Sequence, residues 1–287
     1  MSEATPLLPI GAALGEGPIW FDDALWFVDI TSQHIYRHDP VAGTTDRWDA
    51  PEPVGWVLPT TGAHLIAGLQ SGPHRFLPDR GTFERIAHVE NHLQGNRLND
   101  AAASPQGRIY FGTMDSGEAA ASGRVYVLES GTVRMTSIAA TPITNGPAIA
   151  PAGDRLYHVD TPARTITIHA VAADGSVGPA RPFLTFTGDE GHPDGAICDA
   201  EGGIWVGFYG GWAARRFSPE GVLTQEVRFP VANVTKVALG GPDGCTGFAT
   251  TARQGLDEAA MAVQPLAGAV FTFRAAIPAA PVNRADS

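Results

Sequence analysis

A short apolar run recurs at regular intervals along the chain, and its spacing is the strongest structural signal in the sequence. Successive copies start 40 to 48 residues apart, and the middle ones follow a glycine-containing turn such as Pro105-Gln106-Gly107. Further runs in which apolar and polar residues partly alternate come after each copy, as expected of strands with one buried face. The six copies begin at Leu25, Leu65, Ile109, Leu156, Ile204 and Thr246.

This repeat predicts an all-β fold, a six-bladed β-propeller. Units of about 40–50 residues with four short strands are typical of propeller blades. A lone blade cannot bury both of its faces, whereas a closed ring buries each blade between two neighbours. No linker divides the chain, so we expect residues 1–287 to form one domain, with the run from Pro6 to Ile10 adding a strand to the last blade. Two stacked β-sandwiches are the alternative.

Composition narrows the function classes. The chain of 287 residues has a formal net charge of −11, which argues against a nucleic-acid partner, because such proteins carry a basic patch. Neither a basic signal region nor a run of about 18 apolar residues is present, so we expect no membrane association and a cytoplasmic location. The chain is expected to be a monomer or a weak homo-oligomer that binds a small molecule.

Polar residues occupy the same place in several repeats, at the start of the predicted innermost strand. Glu16, Asn99, Asn145 and Asp194 lie nine to eleven residues before the repeated apolar run of their blade. Innermost strands line the central channel, so these side chains should converge on one axis. Asn-Gly and Asp-Gly are also ordinary turn dipeptides. The shared register favours a site over isolated turns.

Converging carboxylate and amide oxygens predict a cation site on the central channel. Two carboxylates beside neutral amide oxygens suit Ca²⁺, Mg²⁺ or Mn²⁺, with Zn²⁺ or Fe²⁺ as alternatives. Arg97 and Asn99 are two residues apart and face the same side of a strand. A guanidinium beside an amide suits a polyhydroxylated or carbonyl-bearing ligand. The alternative is that Arg97 pairs with Asp100 or another acid as a strand cap.

Several motifs together resemble the SMP-30/gluconolactonase/regucalcin family, and within it the bacterial xylono- and arabinonolactonases. The likeness spans all six predicted blades, and the combination of motifs is specific although each alone is weak. The motifs are Leu14-Gly15-Glu16-Gly17-Pro18, Asn96-Arg97-Leu98-Asn99-Asp100, Thr144-Asn145-Gly146-Pro147, Pro193-Asp194-Gly195 and Gly240-Gly241-Pro242-Asp243.

The resemblance implies a metal-dependent sugar lactonase. It assigns one divalent metal to Glu16, Asn145 and Asp194, and substrate contacts to Arg97 and Asn99. Glu118 is the nearest match to a further acidic substrate contact, although its loop does not align cleanly. The implied substrate is a pentono-1,4-lactone such as xylono- or arabinonolactone, or gluconolactone. The metal would polarise the lactone carbonyl, and Asp194 would take a proton from the attacking water.

Two other function classes stay open at this stage. One is a hydrolase of a non-sugar ester or a phosphotriester, which an apolar entrance to the site would favour. The other is a non-catalytic calcium-binding regulator. A propeller fold by itself does not separate them, because propellers host many functions.

Overall fold

Six blades, each of four antiparallel strands, are arranged around a central channel in the computed structural model, which describes residues 2–286; one blade carries a fifth, parallel strand. The predicted six-bladed propeller is confirmed, and each repeated apolar run forms the second strand of a blade. The first three blades comprise β3 (Gly15–Phe21), β4 (Ala24–Asp29), β5 (His34–Asp39) and β6 (Thr44–Asp49); β7 (Val54–Pro59), β8 (Leu65–Leu69), β9 (Gly72–Leu77) and β10 (Thr82–Arg85); β11 (Asn96–Ala103), β12 (Ile109–Asp115), β13 (Val125–Glu129) and β14 (Thr132–Met135).

The second half of the ring repeats this order, and the N-terminus closes it. Blades four to six comprise β15 (Thr144–Ile149), β16 (Arg155–Asp160), β17 (Thr165–Ala170) and β18 (Arg181–Thr185); β19 (His192–Cys198), β20 (Ile204–Tyr209), β21 (Ala213–Phe217) and β22 (Leu223–Arg228); β23 (Val234–Gly240), β24 (Thr246–Thr251), β25 (Val270–Arg274) and the N-terminal β2 (Thr5–Leu8).

Ring closure by the N-terminus is confirmed, with one addition. Strand β2 pairs antiparallel with β25, so the last blade takes its outermost strand from the start of the chain. The short strand β1 (Ser2–Glu3) also pairs parallel with β22 of blade five, which the sequence pattern did not predict. The two ends of the ring are thereby joined by backbone hydrogen bonds, and blade six has no open outer edge at β25.

The apolar core lies between neighbouring blades. One cluster joins Trp26 and Val28 of blade one to Val57 and Phe76 of blade two. Equivalent clusters fill the other interfaces. Glycines in the second strands admit the large rings: a Cβ at Gly68 would lie 2.1 Å from the Trp56 indole. Substituting that glycine would therefore displace Trp56 from its buried position.

All six innermost strands carry a β-bulge at the same point. The register between the first and second strand shifts after Glu16, Val54, Leu98, Asn145, Pro193 and Val234. A bulge inserts a residue that the partner strand does not match, and it re-aims the neighbouring side chains. The repeated polar positions found in the sequence coincide with these bulges.

Within residues 2–286, helical structure is confined to two short segments. Helix α1 (Glu258–Val263) lies between β24 and β25, with the Asp257 side chain accepting a hydrogen bond from the Ala260 N–H at its N-terminus. A single 3₁₀ turn spans Gly188–Glu190. Within residues 2–286, no helix has the length and apolar character needed to cross a membrane.

A C-terminal strap, residues 275–286, crosses one end of the channel. Its backbone bridges Asp199 of blade five through Ala279 and Thr60 of blade two through Ala285. The Asn283 side chain donates to the Ala103 carbonyl of blade three. The strap covers a chamber of about 140 Å³ with a largely apolar lining that includes Trp56, Ala103 and the stem of Lys236.

Candidate active site on the central channel

A second cavity, of about 410 Å³, opens among the bulges of the innermost strands. The structure brings every predicted site residue to its wall. The lining includes Glu16, Arg97, Asn99, Glu118, Asn145 and Asp194, together with Leu14, Met114, Ile143, Thr161, Pro162, His192, Tyr209, Gln254 and Gly255. Residues separated by almost 180 positions in the sequence therefore meet because equivalent positions of different blades share one axis.

Glycine at the bulge shapes the first of these positions. Gly17, directly after Glu16, has a φ of +54°, a conformation that side chains rarely adopt. A Cβ there would also lie 2.9 Å from the Gly55 carbonyl oxygen of the next blade. The Gly15-Glu16-Gly17 sequence thus allows the bulge that turns the Glu16 carboxylate into the channel.

The two predicted carboxylate ligands are buried but lack a full set of protein donors. Glu16 is 4% exposed and accepts one hydrogen bond, from the Gly17 N–H at 2.7 Å. Asp194 is 8% exposed, and no group within residues 2–286 donates to its carboxylate. Buried anions without donors are unfavourable unless a cation or a proton compensates them. Their free lone pairs face the cavity and fit a hard cation.

The pKa values of the charged residues in the cavity reflect the burial of these carboxylates. Burial raises the pKa of Glu16 to about 8, with the negative charge of Asp100 adding to the effect and Lys236 opposing it. Burial also raises the pKa of Asp194 well above its usual range, and the charges of Glu16 and Asp100 add to that. Burial lowers the pKa of Arg97 to about 10, against the pull of the surrounding carboxylates. The cavity is short of positive charge.

Arg97 keeps donors available to a ligand. Its Nη1 donates to the Leu98 carbonyl at 3.2 Å and to Asn99 Oδ1 at 2.7 Å. Among the described residues its Nε and Nη2 have no protein acceptor. The alternative pairing of Arg97 with Asp100 is wrong, because the Asp100 carboxylate forms its ion pair with Lys236 instead.

Asn99 and Asn145 are hydrogen-bonded to each other. Asn99 Nδ2 donates to Asn145 Oδ1 at 2.9 Å and to the Thr144 carbonyl at 2.8 Å. Asn145 Nδ2 donates in turn to Thr161 Oγ1 at 2.9 Å. Both N–H groups of Asn99 are therefore engaged within the protein, and its oxygen is shared with Arg97.

Glu118 reaches the cavity from an ordered loop. The Asp115 side chain accepts hydrogen bonds from the backbone N–H groups of Gly117, Ala119 and Ala120, at 2.8 to 3.1 Å. This cap holds a tight turn in which Glu118 has a φ of +58°. The Glu118 side chain is exposed on the loop but lines the cavity wall, so its position is compatible with the predicted substrate contact.

Sequence reasoning missed three features of the site. Lys236 and Asp100 form a buried ion pair across the channel, from blade six to blade three. Thr161 connects Asn145 to the Pro193 carbonyl. The Tyr209 hydroxyl donates to the Gln254 carbonyl between blades five and six. Only Lys236 had a signal in the sequence, since it lies at the repeated bulge position of blade six.

The cation site itself stays a prediction. Within residues 2–286, no three His, Cys, Asp or Glu side chains form a cluster able to hold a metal ion. The predicted set has two carboxylates and depends on the amide oxygen of Asn145 for its third ligand. All three proposed ligand atoms are oxygens, and the two carboxylates accept few hydrogen bonds from the protein. Such a set of oxygens fits a hard divalent cation.

Fold and cavity together define a class: six-bladed propellers with a cavity on the central channel that is lined by polar residues from several blades. The sequence pattern described as the SMP-30/gluconolactonase/LRE-like region matches residues 14–253. This chain belongs to that family, as the motifs indicated.

Individual relatives agree with this placement. An L-arabinolactonase of Azospirillum brasilense is 34% identical over 275 residues, covering 94% of this chain and 91% of that protein. A pentonolactonase of Haloferax volcanii is 30% identical and covers 98% of each chain. The crystal structure of a calcium-binding protein, regucalcin, from Agrobacterium tumefaciens superposes with a TM-score of 0.92 at 26% identity, covering 99% of this chain and 97% of that one.

Proposed function

We propose that this protein hydrolyses a small sugar lactone with the help of one divalent cation held by Glu16, Asn145 and Asp194. The observation that carries the proposal is the Asp194 carboxylate, which is buried at the cavity without any donor among the described residues. It lies in one cavity with Glu16, Asn145 and the free N–H groups of Arg97. Two relatives named as lactonases of five-carbon sugars support the reaction class.

Each residue has a distinct part in the proposed reaction. A bound divalent cation would supply Lewis-acid polarisation of the lactone carbonyl. Asp194 takes a proton from the attacking water and returns it to the ring oxygen as the ring C–O bond breaks, which gives the open hydroxy acid. The Nε and Nη2 groups of Arg97 donate to sugar hydroxyls and to the oxygen on which negative charge develops. Asn99 Oδ1 and the oxygens of the Glu118 carboxylate accept hydrogen bonds from further sugar hydroxyls, since both N–H groups of Asn99 are engaged within the protein.

The cavity favours a small, neutral, polar substrate. Its volume of about 410 Å³ lies towards the lower end of the usual range for ligand sites. With one divalent cation bound, the negative charges of Glu16, Asp194 and Glu118 are balanced by the cation and by Arg97, which suits a neutral ligand. We therefore propose a pentono-1,4-lactone such as arabinono- or xylonolactone, with gluconolactone as the second choice.

A second candidate is hydrolysis of a non-sugar ester. Met114, Ile143 and Pro162 line part of the cavity wall, and such apolar surface suits an acyl chain better than sugar hydroxyls. A cation-binding protein without catalytic activity would use the same oxygens. A comparison of substrates separates these functions.

The test is a substrate panel with the cation controlled. Chelator-treated protein is assayed on pentono-1,4-lactones, gluconolactone, a long-chain acyl lactone and a phosphotriester, before and after adding Ca²⁺, Mn²⁺ or Zn²⁺. We expect sugar lactones to be preferred and activity to return with the cation. Asp194→Ala should abolish both cation binding, measured by calorimetry, and turnover. Arg97→Ala should cost roughly 10²–10³-fold in turnover while cation binding persists.

Three results would contradict parts of the proposal. Full activity in thoroughly chelated protein would exclude the cation from the reaction. Preference for the acyl lactone or the phosphotriester would overturn the sugar assignment. Cation binding without turnover on any substrate would indicate a binding protein.

A further inference from the structure

A continuous chain of hydrogen bonds runs along the cavity wall from blade three to blade five. Arg97 Nη1 donates to Asn99 Oδ1 at 2.7 Å, and Asn99 Nδ2 donates to Asn145 Oδ1 at 2.9 Å. Asn145 Nδ2 donates to Thr161 Oγ1 at 2.9 Å, and Thr161 Oγ1 donates to the Pro193 carbonyl at 2.8 Å. The Asn99, Asn145 and Thr161 side chains in the middle of this chain are buried.

The direction of this chain is determined at both ends. A guanidinium can only donate and a backbone carbonyl can only accept. Arg97 therefore requires the oxygen of Asn99 on its side, and the Thr144 carbonyl, which accepts from Asn99 Nδ2, enforces the same orientation. At the other end the Pro193 carbonyl takes the single proton of the Thr161 hydroxyl. Thr161 can then only accept from Asn145.

The orientation of the Asn145 amide follows from its two neighbours. Rotating the amide by half a turn would place its NH₂ against the NH₂ of Asn99, and its oxygen against a hydroxyl whose proton is already engaged. Both hydrogen bonds would be lost in a buried site, where unpaired polar groups are costly. The amide oxygen is the atom that can bind a cation, so the orientation decides whether Asn145 can act as a ligand.

We propose that Thr161 is a positioning residue for the cation site: its hydroxyl holds the Asn145 amide in the orientation that presents the oxygen. The same hydroxyl ties Asn145 to the backbone immediately before Asp194, so two proposed ligands from different blades are held by one side chain. Thr161 itself contributes no ligand. This inference rests on the proposed cation site.

The test compares Thr161→Val, which keeps the shape and removes the hydroxyl, with Thr161→Ser, which keeps the hydroxyl. Titration of chelator-treated protein with Ca²⁺ or Mn²⁺ by calorimetry should show Thr161→Val binding roughly 10- to 100-fold more weakly, the usual effect of losing a group that orients a ligand. Thr161→Ser should bind nearly as tightly as the wild type. With lactone, Thr161→Val should need more cation for half-maximal rate, while kcat at saturating cation stays near wild type.

A second background separates orientation from packing. In Asn145→Asp the side chain has two equivalent oxygens, so its orientation no longer matters. Adding Thr161→Val to Asn145→Asp should therefore weaken cation binding much less than in the wild type. An equal loss in both backgrounds would overturn the inference, as would unchanged cation binding in Thr161→Val. If the wild type bound no divalent cation, the proposed function would be wrong and this inference would fall with it.

Discussion

The buried ion pair between Lys236 and Asp100 allows a quantitative prediction. The two side chains are 5% and 1% exposed. Asp100 Oδ1 also accepts the Ala101 N–H at 2.7 Å, whereas Oδ2 has no partner among the described residues. Lys236→Met keeps the stem that packs on Gly195, where a Cβ would lie 2.6 Å from the lysine Cβ and Cγ. The variant therefore removes the charge and retains most of the packing.

Loss of this charge should destabilise the fold considerably. Removing one partner of a buried pair costs about 3–5 kcal/mol, because the other charge is left uncompensated. Here Asp100 would remain near Glu16 and Asp194, whose negative charges oppose its own. For a chain of this size the loss corresponds to a fall in Tm of roughly 5–8 °C. Urea unfolding at pH 8, followed by tryptophan fluorescence, measures the loss in the free energy of unfolding.

The pH dependence of that loss has a definite sign. Burial already raises the pKa of Asp100, and Lys236 opposes the rise, so the variant should raise this pKa further. An acid whose pKa is raised in the folded state destabilises the fold above that raised pKa. This destabilisation disappears as the pH falls towards the pKa that the acid has in the unfolded chain. The variant should therefore lose less stability at pH 5 than at pH 8.

Asp100→Asn combined with Lys236→Met provides the matched control. With both charges removed, the double variant should be clearly more stable than Lys236→Met alone at pH 8. Two results would refute the reasoning: a single variant as stable as the wild type, or a double variant no better than the single one. The second result would place the effect in packing instead of charge.

Two further predictions concern stability away from the cavity. Burial lowers the pKa of His158 to about 4, so the unfolded chain takes up a proton before the folded one as the pH falls below 6.5. The free energy of unfolding of the wild type should therefore be about 2 kcal/mol smaller at pH 5 than at pH 8 because of this residue. His158→Leu should abolish that part of the difference, as measured by urea unfolding. A variant truncated after Ala276 lacks most of the C-terminal strap, which covers the apolar chamber. Its Tm should be several degrees lower and it should bind a hydrophobic dye. An unchanged Tm would contradict a stabilising role of the strap.

Much of the architecture follows from the sequence alone. A repeat of 40 to 48 residues with an apolar second strand can bury its faces only by stacking on copies of itself, so repeat length and number determine a six-bladed ring. The same repeat identifies which polar residues share a position, because equivalent positions in different blades face one axis. Glu16, Asn99, Asn145 and Asp194 were found in this way.

Tertiary structure decided what lies next to what across that axis. Neither the ion pair of Lys236 with Asp100 nor the chain from Arg97 through Thr161 to Pro193 has a sequence signature. The Lys236–Asp100 pair and the contacts of Asn99 with Asn145 and of Thr161 with the Pro193 carbonyl join different blades. These contacts depend on where each bulge aims a side chain. The strap and the strand β1 are likewise set by the closed ring, since they pair with blades distant in sequence. The periodicity of apolar residues indicates which face of a strand is buried. It carries no information on the distance in space between two strands that are a hundred residues apart in the sequence.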